Sequence, residues 1–175
     1  MTAGTGDNEQ VAVRLASVGD ANRIATLCQQ LGYPASQEEV QRRLEQIQQD
    51  ERHAVYVAEL SGGHVIGWAH AYVCHLVETD PYAEVGGLIV DDGHRQRGVG
   101  RLLMRHVERW ARGQGCWTVR VRSNVVRKGA HVFYEKVGYS CIKTQLVFCK
   151  GLSSSGVPHR HAVNRVIARR VRSDR

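Results

Sequence analysis

The alternation of apolar and polar positions predicts the first elements of the chain. Residues 11–16 alternate with a period of two, as in a short half-buried strand. A helical spacing follows over residues 20–31 and ends at the Gly32-Tyr33-Pro34 break. Ser36 and Glu39 then form the Ser-x-x-Glu sequence of a capping box. This predicts a second, polar helix that ends near residue 50.

The next part of the chain reads as a β-meander. Residues 53–60 and 64–76 are rich in β-forming side chains, and Ser61-Gly62-Gly63 between them is typical of a hairpin turn. A third strand is predicted over residues 84–90. Three consecutive strands with short connections favour antiparallel pairing.

The second half of the chain predicts helices that alternate with strands. Apolar residues recur at helical spacing over residues 97–114, and a strand over 117–121 follows. A short helix over 129–137 and final strand material over 140–150 complete the pattern. A helix between two strands of one sheet implies a right-handed parallel crossover. The predicted fold class is therefore mixed α/β, an antiparallel meander with one parallel crossover.

Composition narrows the class of protein. The chain has 175 residues, of which 42% are hydrophobic and 23% charged, as in one soluble globular domain. No apolar run approaches the roughly 20 residues that span a bilayer, and residues 1–7 lack the features of a secretory signal. We therefore expect a cytoplasmic protein without membrane association. The five cysteines are odd in number and contain no Cys-x-x-Cys pair, which favours reduced thiols.

The net charge of +7 is concentrated at one end of the sequence. The segment 151–175 carries +5 of it, and the remainder of the chain carries about +2. We expect one catalytic domain over residues 8–152 and a basic, disordered tail over 153–175. Nucleic-acid binding through the tail is a third interpretation of the sequence, which the low charge of the domain makes unlikely.

The sequence from Leu88 to Gly100 carries the strongest chemical signal. A strand ends at Leu88-Ile89-Val90, and Arg95-Gln96-Arg97-Gly98-Val99-Gly100 leads directly into a helix. Free amides and the positive end of the helix dipole can hold a phosphate there. The glycines alone are equally compatible with a loop that only turns the chain. A P-loop is excluded because Arg101-Leu102 replaces Lys-Ser/Thr, and the third glycine of a dinucleotide fingerprint is missing.

These residues resemble the Gcn5-related N-acetyltransferase superfamily, whose acetyl-CoA loop reads Gln/Arg-x-x-Gly-x-Gly/Ala. Ser123-Asn124 and the segment from Ala130 to Tyr139 are similar to later family motifs. Asp91-Asp92-Gly93 departs from the proline that many members carry, which leaves the stiffness of this connection open. The resemblance covers residues 11–150, with its specific motifs between 88 and 139.

The resemblance implies an acetyl-CoA-dependent N-acetyltransferase with a defined cofactor site. Backbone groups of β-strand residues would pair with the pantetheine arm, loop amides would hold the pyrophosphate, and Tyr134 would lie near the sulfur. A tyrosine in this place can protonate the departing thiolate, or it can simply pack in the core. The cofactor-binding residues implied are Leu88, Ile89, Val90, Arg95, Gln96, Arg97, Gly98, Val99, Gly100 and Asn124.

The attacking amine must lose a proton, which a carboxylate acting through water could accept. Glu84, at the start of the strand that leads to Leu88, is the predicted base, although it is equally compatible with a solvated charge. Glu78 and Asp80 are the next candidates. His70, His75 and His131 lack metal-ligand spacing and are assigned polar or packing roles. We expect no metal site.

The predicted activity is direct transfer of an acetyl group from acetyl-CoA to a primary amine, without a covalent enzyme intermediate. The acceptor, whether a small molecule such as an aminoglycoside or a peptide, is not encoded by a diagnostic motif. A homodimer remains open. The alternative is an acyl-CoA-binding regulatory protein that does not turn the cofactor over.

Overall fold

The computed structural model describes residues 10–152. The basic tail and the first residues of the predicted domain lie outside the described residues. The regular elements, in chain order, are β1 (Val11–Leu15), α1 (Ala21–Leu31), α2 (Gln37–Ile47), β2 (His53–Leu60), β3 (Val65–Leu76), β4 (Thr79–Val90), α3 (Val99–Gly113), β5 (Val119–Val121) and α4 (Lys128–Lys136).

The five strands form one mixed sheet in the order β1-β2-β3-β4-β5. The first four strands pair antiparallel, whereas β5 runs parallel to β4. The connection from β4 to β5 passes through α3, as the parallel crossover predicted. The mixed α/β fold class read from the sequence is confirmed.

Helices cover both faces of the sheet. The buried residues of α1 and α2 pack with Trp68 and Ile89 on one face. Leu103 and Met104 of α3 pack with Ala69 and other residues on the opposite face. Because Trp68 and Ala69 are adjacent on β3, their side chains point to opposite faces of the sheet.

Local hydrogen bonds fix the starts of the first two helices. The Asp20 carboxylate at the start of α1 is buried and accepts hydrogen bonds from the Arg14 guanidinium at 2.8 and 2.9 Å. At the start of α2 the predicted capping box forms, since Glu39 N–H donates to Ser36 Oγ at 3.2 Å and Ser36 N–H donates to Glu39 Oε2 at 2.9 Å.

A β-bulge interrupts β4 in its second half. His70 lies opposite Gly87 and Ala71 lies opposite Val85, so Gly86 is an extra residue without a partner on β3. The parallel pairing with β5 also ends at Val85. The outer edge of β4 is therefore free of β5 from Gly86 onward.

The strand predicted over 140–150 is not present. Residues 141–152 contain no helix or strand, and large apolar side chains such as Leu146 and Phe148 are more than four-fifths exposed. An alternating apolar sequence becomes a strand only where a neighbouring strand takes its backbone hydrogen bonds. The hydrophobic pattern alone could not specify that neighbour.

The described part of the chain was also searched for membrane spans and metal clusters. Within residues 10–152 no helix combines the length and the apolar character needed to cross a membrane. The same residues contain no cluster of three His, Cys, Asp or Glu side chains arranged to hold a metal ion.

Candidate active site

A cleft opens between β4 and β5 where the two strands cease to pair. It encloses a cavity of about 280 Å³. Its floor is the bulged part of β4, and its walls come from the end of α1, the segment after β5 and α4. Residues that contribute to the lining include Cys28, Trp68, Gly86, Asn124, Arg127 and Tyr134.

The backbone of β4 turns hydrogen-bonding groups of Leu88 and Val90 toward the side that β5 has left, although Val90 O also accepts a hydrogen bond from Arg95 Nε at 3.1 Å. Asp91 N–H donates to Ile66 O on β3 at 2.8 Å, and the groups of a strand alternate in direction. The polar groups of Leu88 and Val90 therefore face away from β3, on the side that β5 has left. Ile89 is buried between sheet and helices and its backbone groups face β3, so this predicted cofactor-binding residue presents neither side chain nor backbone to the cleft.

The loop between β4 and α3 is shaped to receive an anion. Gln96 has φ of 63° and Gly98 has φ of 82°, and both are left-handed. Left-handed residues in such a turn direct neighbouring amides toward a common point. Gly98 is the N-cap of α3 and makes no side-chain capping bond, so the amides of the first helical turn, from Val99 onward, are available to a ligand.

The two arginines of the loop differ in the hydrogen bonds and ion pairs that they make within the protein. Arg95 Nε donates to Val90 O at 3.1 Å, and its guanidinium forms an ion pair with Asp92 at 2.5 Å. Arg97 is exposed and forms no ion pair within residues 10–152. Arg97 is therefore the more accessible of the two predicted phosphate ligands.

Gly100 serves a purpose that the sequence did not reveal. A Cβ at this position would lie 3.2 Å from two atoms of the Phe133 ring and 3.7 Å from Val90 Cγ2. The absence of a side chain therefore lets the start of α3 pack closely against α4. A Cβ at Gly98, by contrast, would meet nothing within 4 Å.

Asp91 stands where many members of the resembled family carry proline. Its side chain links the loop between β4 and α3, the predicted phosphate loop, to α1. Its carboxylate accepts hydrogen bonds from Arg23, from Gly93 N–H at 3.0 Å, and from Gln30 and His94 at 3.3 Å each. Burial alone would raise the pKa of Asp91, but these donors together hold it well below its usual range. These hydrogen bonds therefore fix the connection between β4 and α3, whose stiffness the sequence alone left open.

Tyr134 lines the cleft from α4. Its ring packs at an edge-to-face angle against Phe133 and Tyr139, with centroids 5.3 and 6.0 Å away. Within residues 10–152 its hydroxyl has no hydrogen-bond partner. Burial raises the pKa of Tyr134, and nearby Arg127 opposes the increase. The phenol is therefore protonated at neutral pH and can donate a hydrogen bond into the cleft.

Asn124 and Arg127 build the wall beyond β5. The Asn124 carbonyl accepts from His131 Nε2 at 3.0 Å, and its side-chain oxygen accepts from Val126 N–H at 3.2 Å. Arg127 donates a hydrogen bond to Leu31 O at the end of α1. These bonds place Asn124 in the cleft, as the sequence predicted, and join the start of α4 to α1.

Glu84 is buried rather than solvated. It is 5% exposed, and its carboxylate oxygens lie 2.6 Å from Arg122 Nε and 3.0 Å from Arg122 Nη2. The Tyr72 hydroxyl also donates to Glu84 Oε1 at 3.3 Å. Both oxygens of the predicted base are therefore already engaged within the protein.

The other predicted candidates lie outside the cleft or have local roles. Glu78 and Asp80 line a separate, open cavity of about 800 Å³ together with Trp117 and Arg120. His75 is exposed. Of the predicted site residues, Leu88, Asn124 and Tyr134 line the cleft together. The loop that ends at Gly100 lies beside α4 but outside this lining, as does Glu84, and Glu78 and Asp80 line the other cavity.

Sequence reasoning missed several residues that shape the cleft. Arg122 and Tyr72 hold Glu84, and Trp68 lies over Gly87, where a Cβ would approach the indole to 2.6 Å. The Gly86-Gly87 pair inside a strand was an available signal for the bulge. The contact between His53 and His70 had no signal in the sequence, because it depends on strand register.

Comparison with known proteins agrees with this geometry. The model of the acetyltransferase (GNAT) family matches residues 21–139. The chain is 30% identical over 132 residues to an aminoglycoside N(6')-acetyltransferase type 1 of Stenotrophomonas maltophilia, spanning 73% of this chain and 84% of that protein. It is 32% identical over 139 residues to the N-alpha-acetyltransferase RimI of Mycobacterium tuberculosis, spanning 77% and 82% respectively.

Solved structures show the same fold. An aminoglycoside N-acetyltransferase, AAC(6')-Iy, in complex with CoA superposes with a TM-score of 0.74 at 21% identity, over 83% of this chain and 98% of the other. From the family match across 21–139, the two sequence relatives and the shared fold, it follows that this chain belongs to the acetyltransferase (GNAT) family.

Proposed function

We propose that the cleft transfers an acetyl group from acetyl-CoA, the cosubstrate of this acetyltransferase, directly to a primary amine. One observation carries the proposal. The free outer edge of β4 at Leu88 and Val90 runs from the bulge at Gly86 to the amide-rich loop before α3, with the Tyr134 hydroxyl facing the same cleft. A thioester with a long amide-containing arm and a pyrophosphate fits this arrangement.

The cofactor would bind mainly through the protein backbone. The Leu88 and Val90 groups would pair with the pantetheine amides like an additional strand. Amides from Gln96 to Gly100 would hold the pyrophosphate, with charge added by Arg97 and by Arg95 once it leaves Asp92. Asn124 would contact the pantetheine from the opposite wall.

Direct attack is supported by the state of the one thiol in the cleft. Burial raises the pKa of Cys28, an effect that Arg43 partly opposes. A thiol with a raised pKa is a poor nucleophile, because the thiolate is the reactive form. An acetylated cysteine intermediate is therefore disfavoured, and the amine would attack the thioester carbonyl itself. Tyr134 would donate its proton to the sulfur as it leaves.

The acceptor is proposed as a small-molecule or peptide amine. The two sequence relatives are named for different acceptor groups, the 6' amine of an aminoglycoside and an alpha-amine, at nearly equal identity. The acceptor would meet side chains from α1, β3, β4 and β5, and a fold alone does not determine which amine such side chains accept. A cytoplasmic location and a homodimer stay predictions.

The testing experiment measures CoA release with acetyl-CoA and a panel of amines. The panel contains a kanamycin-type aminoglycoside, a polyamine, free amino acids and peptides with unmodified N-termini. Amine-dependent release with stoichiometric acetylated product is the expected result. Cofactor binding without release on any amine would instead favour the alternative, an acyl-CoA-binding regulatory protein. Binding itself is checked by a rise in melting temperature with acetyl-CoA and CoA that NAD and ATP do not produce.

A further inference from the structure

A histidine pair lies on the sheet beside the bulge of β4. His53 of β2 and His70 of β3 stack with ring centroids 5.3 Å apart, and Nδ1 of His53 lies 3.0 Å from Nε2 of His70. One of these two nitrogens therefore donates a hydrogen bond to the other. The pair uses Nε2 of His70 and leaves its Nδ1 free.

The free nitrogen lies against the bulge, next to a residue that lines the cleft. A Cβ built on Gly86 would lie 3.3 Å from His70 Nδ1 and 3.1 Å from the Tyr72 ring, so Nδ1 is within contact distance of the bulge. Gly86 itself lines the cavity. No hydrogen bond to His70 Nδ1 forms within residues 10–152. An unoccupied imidazole nitrogen thus borders the point where strand β4 leaves its regular path.

The neighbouring polar groups are already committed to one another. Tyr72 donates to Glu84, and Glu84 is held by Arg122 at 2.6 and 3.0 Å. The carboxylate that the sequence predicted as base therefore has no oxygen that points freely to an acceptor. Among the groups beside the bulge, His70 alone offers an unpaired nitrogen with a proton-accepting tautomer.

We propose that His70 is a catalytic residue which accepts the proton of the attacking amine, with His53 as its positioning partner, and that Glu84 instead holds the site through Arg122 and Tyr72. The inference rests on the proposed transferase function and names a residue of that same site. A base oriented by a second group is a recurring arrangement in catalysis.

The proposed step balances as follows. The lone pair of the neutral amine forms the C–N bond with the thioester carbonyl carbon, and the C–S bond breaks with its electron pair on sulfur. The proton on the new C–N nitrogen passes to His70 Nδ1, while His70 Nε2–H is given to His53 Nδ1, and His53 releases a proton to water. Sulfur takes the hydroxyl proton of Tyr134, which regains one from solvent.

The surroundings of His70 keep its imidazole neutral. Burial lowers the pKa of His70 to about 4, and the positive charge of a protonated His53 contributes in the same direction. The other titratable or charged groups of this face are Tyr72, Glu84 and Arg122. The lone pair is therefore available throughout the neutral range, but it is a weak base. It would take the proton from the cationic nitrogen formed during attack, and not from a free ammonium ion.

The test compares His70→Gln with wild type on an alkyl amine that the wild type acetylates. We expect kcat to fall by about a hundredfold, the scale of a positioned proton acceptor, with the CoA-induced rise in melting temperature unchanged. The same variant is then assayed with a hydrazine or aryl amine. Because the cationic nitrogen formed by such an amine loses its proton readily to water, the loss should shrink to less than about tenfold.

Two further variants serve as controls. His106→Gln changes another half-buried histidine, whose Nδ1 lies 2.9 Å from Leu102 O on α3, and should leave kcat unchanged. His53→Gln retains His70 and should lower kcat by about tenfold, which keeps the test decisive if His70→Gln does not fold.

The outcomes distinguish a failure of the proposed transferase function from a failure of the inference about His70. Absence of CoA release by the wild type on every amine would overturn the proposed function and this inference together. Wild-type activity with unchanged kcat in His70→Gln would overturn the inference alone. An equal loss on alkyl and aryl amines would also overturn it, because a purely structural defect does not depend on the basicity of the acceptor.

Discussion

The two proposed sides of the site differ in the groups that form them, which are backbone groups on one side and side chains on the other. The proposed cofactor side consists mainly of backbone groups, on the outer edge of β4 and in the turn that leads to α3. The proposed acceptor side consists of side chains, with His53, His70, Tyr72 and Glu84 contributed by three adjacent strands beside the bulge and Arg122 following a fourth. Backbone geometry tolerates many side chains, whereas a row of side chains changes with each substitution.

This difference explains why the sequence indicates the cosubstrate of the family but does not indicate the acceptor. Turn residues and glycines that shape a backbone site recur in a short contiguous sequence. Residues that form the acceptor side are separated by up to about seventy positions and meet only through strand register. We therefore expect substitutions on the proposed cofactor side to change cofactor affinity. Substitutions on the proposed acceptor side should change turnover.

Gly98→Val tests the cofactor side and should have the largest effect. A branched side chain at φ of 82° would stand where an anion approaches the amides, so acetyl-CoA affinity should fall by at least about a hundredfold, the weakening expected when a ligand loses some 2.7 kcal/mol. Isothermal titration measures it. Gly62→Val is the matched control, since Gly62 has φ of 103° and a Cβ there would also meet nothing within 4 Å. Equal affinity loss in both variants would mean that backbone strain, and not access of the anion, is responsible.

Tyr134→Phe tests the chemistry where the two sides meet. Removal of the hydroxyl should reduce the single-turnover rate by about a hundredfold through loss of the proton donor, while CoA affinity stays within about twofold. Tyr139→Phe is the control, because its hydroxyl donates to Glu108 at 3.1 Å and lies outside the cleft lining. That variant should lose about 1 kcal/mol of unfolding free energy and keep its turnover. A Tyr134→Phe enzyme with an unchanged rate would show that the aromatic ring only packs.

Glu84→Gln distinguishes a base from a residue that holds the site. The amide keeps the shape but leaves the Arg122 guanidinium without its charge partner, so the free energy of unfolding should fall by about 2 kcal/mol. Turnover should fall by about tenfold, less than in His70→Gln. Chemical denaturation and steady-state kinetics measure the two quantities. A loss as large as that of His70→Gln, without a change in stability, would restore Glu84 as the predicted base.

Asp91→Asn should have the smallest effect on activity and a clear effect on stability. The native pKa of Asp91 is depressed, so its ionised form contributes stability above the unfolded pKa of about 3.9. That contribution is lost as the pH falls from about 4 through the lower native value. The variant should be about 2 kcal/mol less stable at pH 7, and the difference should narrow below about pH 4. Asp92→Asn is the control, since Asp92 is 66% exposed, and a difference that stays constant at low pH would contradict the assignment.

Much of the fold could be predicted because its signals are local. The capping box at Ser36 and Glu39, the hairpin glycines and the helical spacing of α3 each occupy a few consecutive residues. The boundaries shifted by a few residues, most at β4, which begins at Thr79 and not at Glu84. Thr79–Tyr82 contains Asp80 and Pro81, residues that are rare in strands, and it is the pairing with β3 that makes it a strand.

The parts that could not be predicted depend on contacts between distant segments. Asp91 is an ordinary loop residue in sequence, and only the position of Arg23 on α1 makes it a fixed connection. Glu84 looks like a strand-end charge until Arg122, 38 positions later, is placed beside it. The ion pair needs both the regular pairing of residues 82–85 with β3 and the parallel arrival of β5, which no local pattern encodes.

The hydrogen bonds of Asp91 have a consequence for engineering this scaffold. Acceptor preference would ordinarily be altered by transplanting the α1 and α2 helices from a relative as one module. Here α1 carries Arg23 and Gln30, which hold the same carboxylate that orders the phosphate loop. A transplant without these two side chains would exchange one wall of the cleft and, at the same time, remove two of the four donors that hold the connection between β4 and α3. The two helices can be exchanged without this loss only when Arg23 and Gln30 are grafted with them.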